Sequence, residues 1–397
     1  MFQKPWISSR SLARMSVLAL AACAAGTASA QDCEVKVGVV SPMTGGASAW
    51  GLAVKAGTEL IAALHNDAGG LPMGPRKCKV RVVTIDGQCS AAGGAAASNN
   101  LAAEGVVATM GPVCSPETTG FQPVSKRQNQ IYFSSSYKAD VIGTEWPLGF
   151  HLLQGPHVFS PILIKESKAR FKYNSVVVIG PNDQGGTDSG RQTSKMYTEA
   201  GVKATEEWYQ RGTTNFGPLA ARVMNLKPDV VELAATPPAD VTNLVKHLVE
   251  AGYTGIFGGL GGIGMNPVVQ GAGGMDKVKG YFWLELMPVE DPGARRLRED
   301  FQRVMKTAAP DNALLYPAAF GAETLMRAIS TAGTDKDGVK IAEALRKATP
   351  ESRYFGKGGW RGKAQYGINQ ELAFPIGMGV IQDGKRVGVQ RVELPAE

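Results

Sequence analysis

Histidine is scarce in this chain, and its four copies, His65, His151, His157 and His247, are scattered without ligand spacing. No Cys-x-x-Cys occurs either, so a metal centre is a poor expectation and no cofactor is implied. The sequence also lacks a Gly-x-Ser-x-Gly elbow and a His-Glu-x-x-His helix, the marks of common hydrolytic sites. Long basic runs interleaved with aromatics are missing as well. The net charge of +7 falls to +4 on residues 32–397 once Lys4, Arg10 and Arg14 are subtracted (7 − 3). That mild basicity argues against a nucleic-acid partner. Beyond residue 30 no segment is long and uncharged enough to span a bilayer.

What is present begins with a leader. Lys4, Arg10 and Arg14 precede an apolar run, 15–25, and Thr27-Ala28-Ser29-Ala30 offers small residues for cleavage before Gln31. This reads as a secretory signal peptide over 1–30, hence a periplasmic protein. The alternative is a lipoprotein anchored through Cys23, because Leu20-Ala21-Ala22-Cys23 fits a lipobox. Cys33, Cys78, Cys89 and Cys114 remain in either case. An even count in an oxidising compartment predicts two disulfides. Cys33 and Cys78 open two strand-like runs and Cys89 and Cys114 follow strands, so Cys33–Cys78 and Cys89–Cys114 are the expected pairs.

From Val35 onward, apolar runs alternate with helical patterns. Strands are expected at 35–40, 80–85, 106–110 and 131–134, with helices at 51–66, 90–104 and from Pro116. In the first helix Leu52, Ala56, Leu60, Ala63 and Leu64 form the expected apolar face. A second series has strands 175–179, 202–209, 230–234 and 255–257 between helices 157–169, 187–200, 216–226 and 240–251. Crossing segments are expected near 149–154 and Tyr281–Pro288, with helices 292–307, 317–332 and 339–349 returning to the first unit. The fold class is α/β: two doubly wound Rossmann-like lobes joined by a multi-crossing hinge. The expected N-terminal lobe is 31–152 plus 287–370, and the C-terminal lobe 153–286 plus 371–397. Ligands of such sheets lie at the carboxyl ends of the strands.

On that edge sits Gly111-Pro112-Val113-Cys114-Ser115-Pro116-Glu117-Thr118-Thr119-Gly120, a strand end, a turn and a helix start. Ser115 suits the N-cap and Pro116 the first helical position. Such a helix end attracts carboxylates or phosphates, although most N-caps serve only their own helix.

The order and spacing of several motifs resemble the type I periplasmic solute-binding proteins of ABC importers, in the leucine/isoleucine/valine-binding branch. They are 37–45 (Val-Gly-Val-Val-Ser-Pro-Met-Thr-Gly), 66–70 (Asn-Asp-Ala-Gly-Gly), Asp86 with Cys89, and 111–115. They continue with 182–185 (Asn-Asp-Gln-Gly), 214–216 (Thr-Asn-Phe) and 227–231 (Lys-Pro-Asp-Val-Val). The resemblance implies an extracytoplasmic monomer that is not an enzyme and hands a small solute to an inner-membrane permease. It also implies the Cys89–Cys114 disulfide, Ser115 as a carboxylate ligand and Trp50 as a cleft wall.

Departures from the family pattern bear on the ligand. Ser134-Ser135-Ser136-Tyr137-Lys138 stands where amino-acid binders carry an alanine/threonine pair, and Gln184 where they carry an aromatic. The turn that should hold the acid for an ammonium is Gly258-Gly259-Leu260-Gly261-Gly262. A buried ammonium without that acid is costly. Glu232 is either its replacement or one half of a structural pair, and Lys138 is either solvated or a second anion contact. Ser135, Ser136, Tyr137, Thr236 and Leu260 complete the expected contacts, with Tyr316 on a returning helix. The expected ligand is a small carboxylate, aromatic or hydroxylated, ahead of a branched-chain amino acid. A ligand-sensing subunit for a membrane receptor is the alternative role. Gly259-Leu260-Gly261-Gly262-Ile263-Gly264 also spells a dinucleotide fingerprint, but at the last strand of a lobe and before a poor helix start, so an NAD-dependent enzyme is the remote reading.

Overall fold

The computed structural model describes residues 1–3, 33–234, 236–287 and 290–392. Residues 4–32, which hold the rest of the leader with Cys23 and Ala30, lie outside the described residues. Among the described residues no helix is long and apolar enough to cross a membrane.

Two sheets organise the chain. The first runs in the order Gly359–Arg361, Glu371–Ala373, Gly149–His151, Ile131–Ser134, Ala108–Met110, Glu34–Ser41, Arg76–Asp86, Leu71–Met73. The six inner strands are parallel, and both edge strands are antiparallel to their neighbours. The second runs Lys385–Val392, Ile376–Gln382, Gly280–Glu285, Ile256–Gly259, Val230–Glu232, Ser175–Pro181, Lys203–Tyr209. Its last five strands are parallel and its first two form an antiparallel hairpin. In strand Glu34–Ser41, Val35, Val37 and Val39 on one face and Val40 on the other are buried, as helices on both faces of a parallel sheet require.

The apolar face of helix Ser48–Asp67 differs from expectation. Ala53, Val54, Gly57, Leu60 and Ile61 are buried, whereas Leu52 is 46% exposed. Gly57 sets this orientation: a Cβ there would lie 2.8 Å from the Leu315 carbonyl oxygen, so this helix meets helix Leu315–Ala332 backbone to backbone. Tyr281–Pro288 is not only a crossing, because Gly280–Glu285 is a fully buried strand of the second sheet. Its apolar run is covered on both faces and flanked by a strand on each side.

The chain passes between the sheets after His151, after Glu285 and after Ala373. Two of these passages are tied together by Glu371. Its Oε1 accepts the Gly155 N–H at 2.9 Å and lies 3.0 Å from His151 Nδ1, all three residues being buried.

Candidate functional site

The first-lobe turn is built from the disulfide inward. Cys89 joins Cys114, and Cys33 joins Cys78, so both expected pairs are present. Helix Ser115–Arg127 is capped by Cys114 rather than by Ser115, because Cys114 keeps an extended backbone and Glu117 folds back to it. Glu117 Oε2 accepts the N–H groups of Cys114 at 3.1 Å and Val113 at 3.3 Å, while Oε1 accepts that of Cys89 at 2.8 Å. Burial pushes this carboxyl up to about 7, against the pull of those donors. With the cap provided by Glu117, the Ser115 hydroxyl is released to the cleft.

The facing second-lobe turn has no covalent tie. Asp183 caps helix Gln184–Glu199 by accepting the Gly186 N–H at 3.0 Å, and its other oxygen accepts from Arg211 Nε. The two helix starts meet: a Cβ on Gly185 would lie 2.5 Å from Ser115 Oγ. Thr119 donates to Gln184 Oε1 at 2.6 Å, and the Ala139 N–H to Asp188 at 3.0 Å. Asn266 bonds Asp311 further round the cleft. The lobes are closed on each other.

Between them lies a cavity with about 540 Å³ of empty space, its mouth included. From the first lobe it is lined by Trp50, Val113, Cys114, Ser115, Ser135, Ser136, Tyr137 and Leu314. Gly185, Gly186, Arg211, Gly261 and Gly262 line it from the second, with Leu286 at a crossing. Each polar wall residue follows the carboxyl end of a strand or opens the next helix. In the serine run the three hydroxyls divide their work. Ser134 Oγ donates to the Pro112 carbonyl at 2.8 Å, and Ser136 Oγ sits 3.1 Å from Thr118 Oγ1. Ser135 Oγ is buried without a hydrogen-bond partner. An unpaired buried hydroxyl is expensive unless something fills its position.

Trp50, Ser115, Ser135, Ser136 and Tyr137 are thus brought together, and six other expected contacts are not. Glu232 is fully buried in the second sheet, where it accepts from Tyr197 at 2.8 Å, Leu260 N–H at 2.9 Å and Ala234 N–H at 3.1 Å. This is the structural role, not an opening to the cleft. Leu260 packs in the core beside it, and Thr236 Oγ1 donates to the Ile179 carbonyl. Lys138 turns to Asp140 and the face of Trp146. Gln184 is spent on Thr119, and Tyr316 faces a neighbouring cavity, where it accepts from Arg298 at 3.3 Å. Arg211 was the notable omission. It follows strand Lys203–Tyr209 by two residues, so the rule placing ligands at strand carboxyl ends would have found it. The dinucleotide pattern 259–264 leads only to a seven-residue helix, Asn266–Ala272, and its glycines 261 and 262 serve as cavity wall.

The sequence pattern of the periplasmic binding proteins matches residues 34–374. A leucine-, isoleucine-, valine-, threonine-, and alanine-binding protein of Pseudomonas aeruginosa is 25% identical over 347 residues, which is 85% of this chain and 90% of that protein. A leucine binding protein from Thermotoga maritima has a TM-score of 0.75 at 19% identity, covering 91% of this chain and 98% of that one. A solute binding protein of an ABC transporter from R. palustris, solved with 4-hydroxybenzoate, has a TM-score of 0.73 at 19% identity, covering 91% and 97%.

Proposed function

This chain belongs to the periplasmic binding protein family, and on that premise we propose that its cleft holds a small carboxylate without an α-ammonium for delivery to an inner-membrane ABC permease. One observation carries the ligand class: among the described residues no Asp or Glu lines the cavity, whereas hydroxyls, a helix start and a guanidinium do. The first N–H groups of a helix have no intrahelical partner, and the dipole favours an anion there. Ser115 and Ser135 add donors at that spot. Trp50, Tyr137, Leu286 and Leu314 enclose a flat apolar body. An ammonium would enter without a counter-charge.

Export through the leader and action as a monomer complete the proposal. The second reading, a branched-chain amino acid, is supported by the name of the Pseudomonas relative. Calorimetry with paired ligands separates the two: leucine beside 4-methylpentanoate, phenylalanine beside 3-phenylpropanoate, and benzoate. The deaminated acids should bind more tightly and lose affinity in Ser115→Ala. Tighter binding of either amino acid would overturn the ligand class while leaving the family untouched.

A further inference from the structure

The two lobes present unequal positive ends to one spot. Ser115 at the start of one helix touches Gly185 at the start of the other, so a carboxylate held by Ser115 also faces the first turn of helix Gln184–Glu199. Arg211 is the cationic side chain on the cavity wall. Its Nε is anchored on Asp183, the cap of that same second-lobe helix, while the residue itself lines the cavity. The acids near Arg211 are Asp183 and Asp240, and Asp240 already accepts the Tyr209 hydroxyl at 2.8 Å. Its side chain is 24% exposed, so its charge is partly desolvated.

We propose that Arg211 is the specificity-determining residue of the second lobe: it grips the carboxylate held by Ser115 and makes closure of the cleft conditional on an anion. This rests on the carboxylate reading above. A neutral isostere would still stack between Trp50 and Tyr137 but would give the second lobe no charge to close upon. A planar guanidinium also suits a carboxylate better than an ammonium would.

The test compares benzoate with benzamide by calorimetry and small-angle scattering on the full mature chain. The wild-type protein should prefer benzoate and shrink in radius of gyration with it. Arg211→Gln should weaken benzoate by roughly thirty-fold or more, leave benzamide unchanged and abolish the shrinkage. Arg211→Lys keeps the charge but not the fork and should fall between, which also serves if the glutamine variant does not fold. Benzoate binding and compaction within about three-fold of wild type in either variant would overturn the assignment. If that happens while Ser115→Ala still weakens benzoate, the carboxylate reading stands and only the role of Arg211 falls. A wild-type protein that binds benzamide as tightly as benzoate removes both.

Discussion

The two walls of the cleft are made of different material. The first lobe offers side chains, namely three serine or aromatic contacts in the 135–137 run, Ser115 and Trp50, and its ligand turn is stapled by Cys89–Cys114. The second lobe offers mostly backbone, with Gly185, Gly186, Gly261 and Gly262 and, among the described residues, the one cation Arg211. The turn is held by a disulfide and by a carboxylate that accepts three backbone N–H groups, so few of its degrees of freedom are left to the ligand. A glycine wall adds little recognition but lets the lobes approach until helix starts touch. On the proposed reading the first lobe recognises the body of the ligand, while the second closes on its charge through Arg211, as hinge-closing proteins require contacts that exist only in the closed form.

The harshest way to break this division is to thicken the second wall. In Gly185→Val the Cβ alone would lie 2.5 Å from Ser115 Oγ and 2.7 Å from Ser115 Cβ. Closure should fail and affinity for the best carboxylate should drop on the order of a hundred-fold, with little change in the unliganded melting temperature, because the open form has no such clash. Calorimetry and thermal unfolding of the same sample check both halves. Unimpaired binding would mean that closure does not bring these helix starts together.

Removing the staple tests the first wall. The Cys89→Ser, Cys114→Ser double variant reopens a loop of 25 residues separation, which in the chain-entropy model costs about 3 kcal/mol of stability. Chemical denaturation measures it. Affinity should fall as well, because the Ser115 helix start loses its anchor, and unchanged affinity would move the rigidity of that turn onto Glu117 alone.

Glu232 sharpens the comparison from inside the second sheet. Burial raises its carboxyl to about 7, opposed by the Leu260 N–H, the Tyr197 hydroxyl and the Ala234 N–H. Because the folded value lies above the unfolded one near 4.5, its contribution is full below about pH 4.5 and is lost as pH rises through 7. Glu232→Gln can keep the same partners without titrating. Its stability relative to wild type should therefore improve between pH 5 and pH 8 by roughly 2 kcal/mol, read from denaturation midpoints at each pH. Carboxylate affinity should not move, since Glu232 does not line the cavity.

The same residue shows where sequence reading stops. The alternation of apolar runs and helices made the two parallel sheets legible, because strands covered on both faces are rich in Val and Ile, as in 176–179 (Val-Val-Val-Ile). The disulfides were legible from strand ends. Gly280–Glu285 was missed as a strand because an apolar run before a proline reads equally well as a passage between lobes. The hairpin of the second sheet was missed because Gly377, Gly379 and Gly388, residues depleted in strands, stand between its apolar positions. Ser115 and Trp50, whose placement follows from chain position, line the cavity, whereas Lys138 and Glu232 turn elsewhere, since sequence says which edge a residue occupies but not which neighbour it turns to.

Gln184 is the smallest and most diagnostic case. It stands where amino-acid binders place an aromatic against the ligand, yet here its carbonyl accepts from Thr119 at an exposed point of lobe contact. An exposed neutral hydrogen bond contributes about 0.5–1.5 kcal/mol at most, and water replaces part of it in the open form. Gln184→Ala should therefore lower carboxylate affinity by no more than about three-fold, through closure alone, with the same factor for every ligand. Measuring benzoate and 3-phenylpropanoate in parallel separates the two roles. A uniform small loss fits a latch between lobes. A loss of ten-fold or more for one ligand and not the other would place Gln184 against the ligand body and give the second lobe a share of body recognition beyond the charge contact of Arg211.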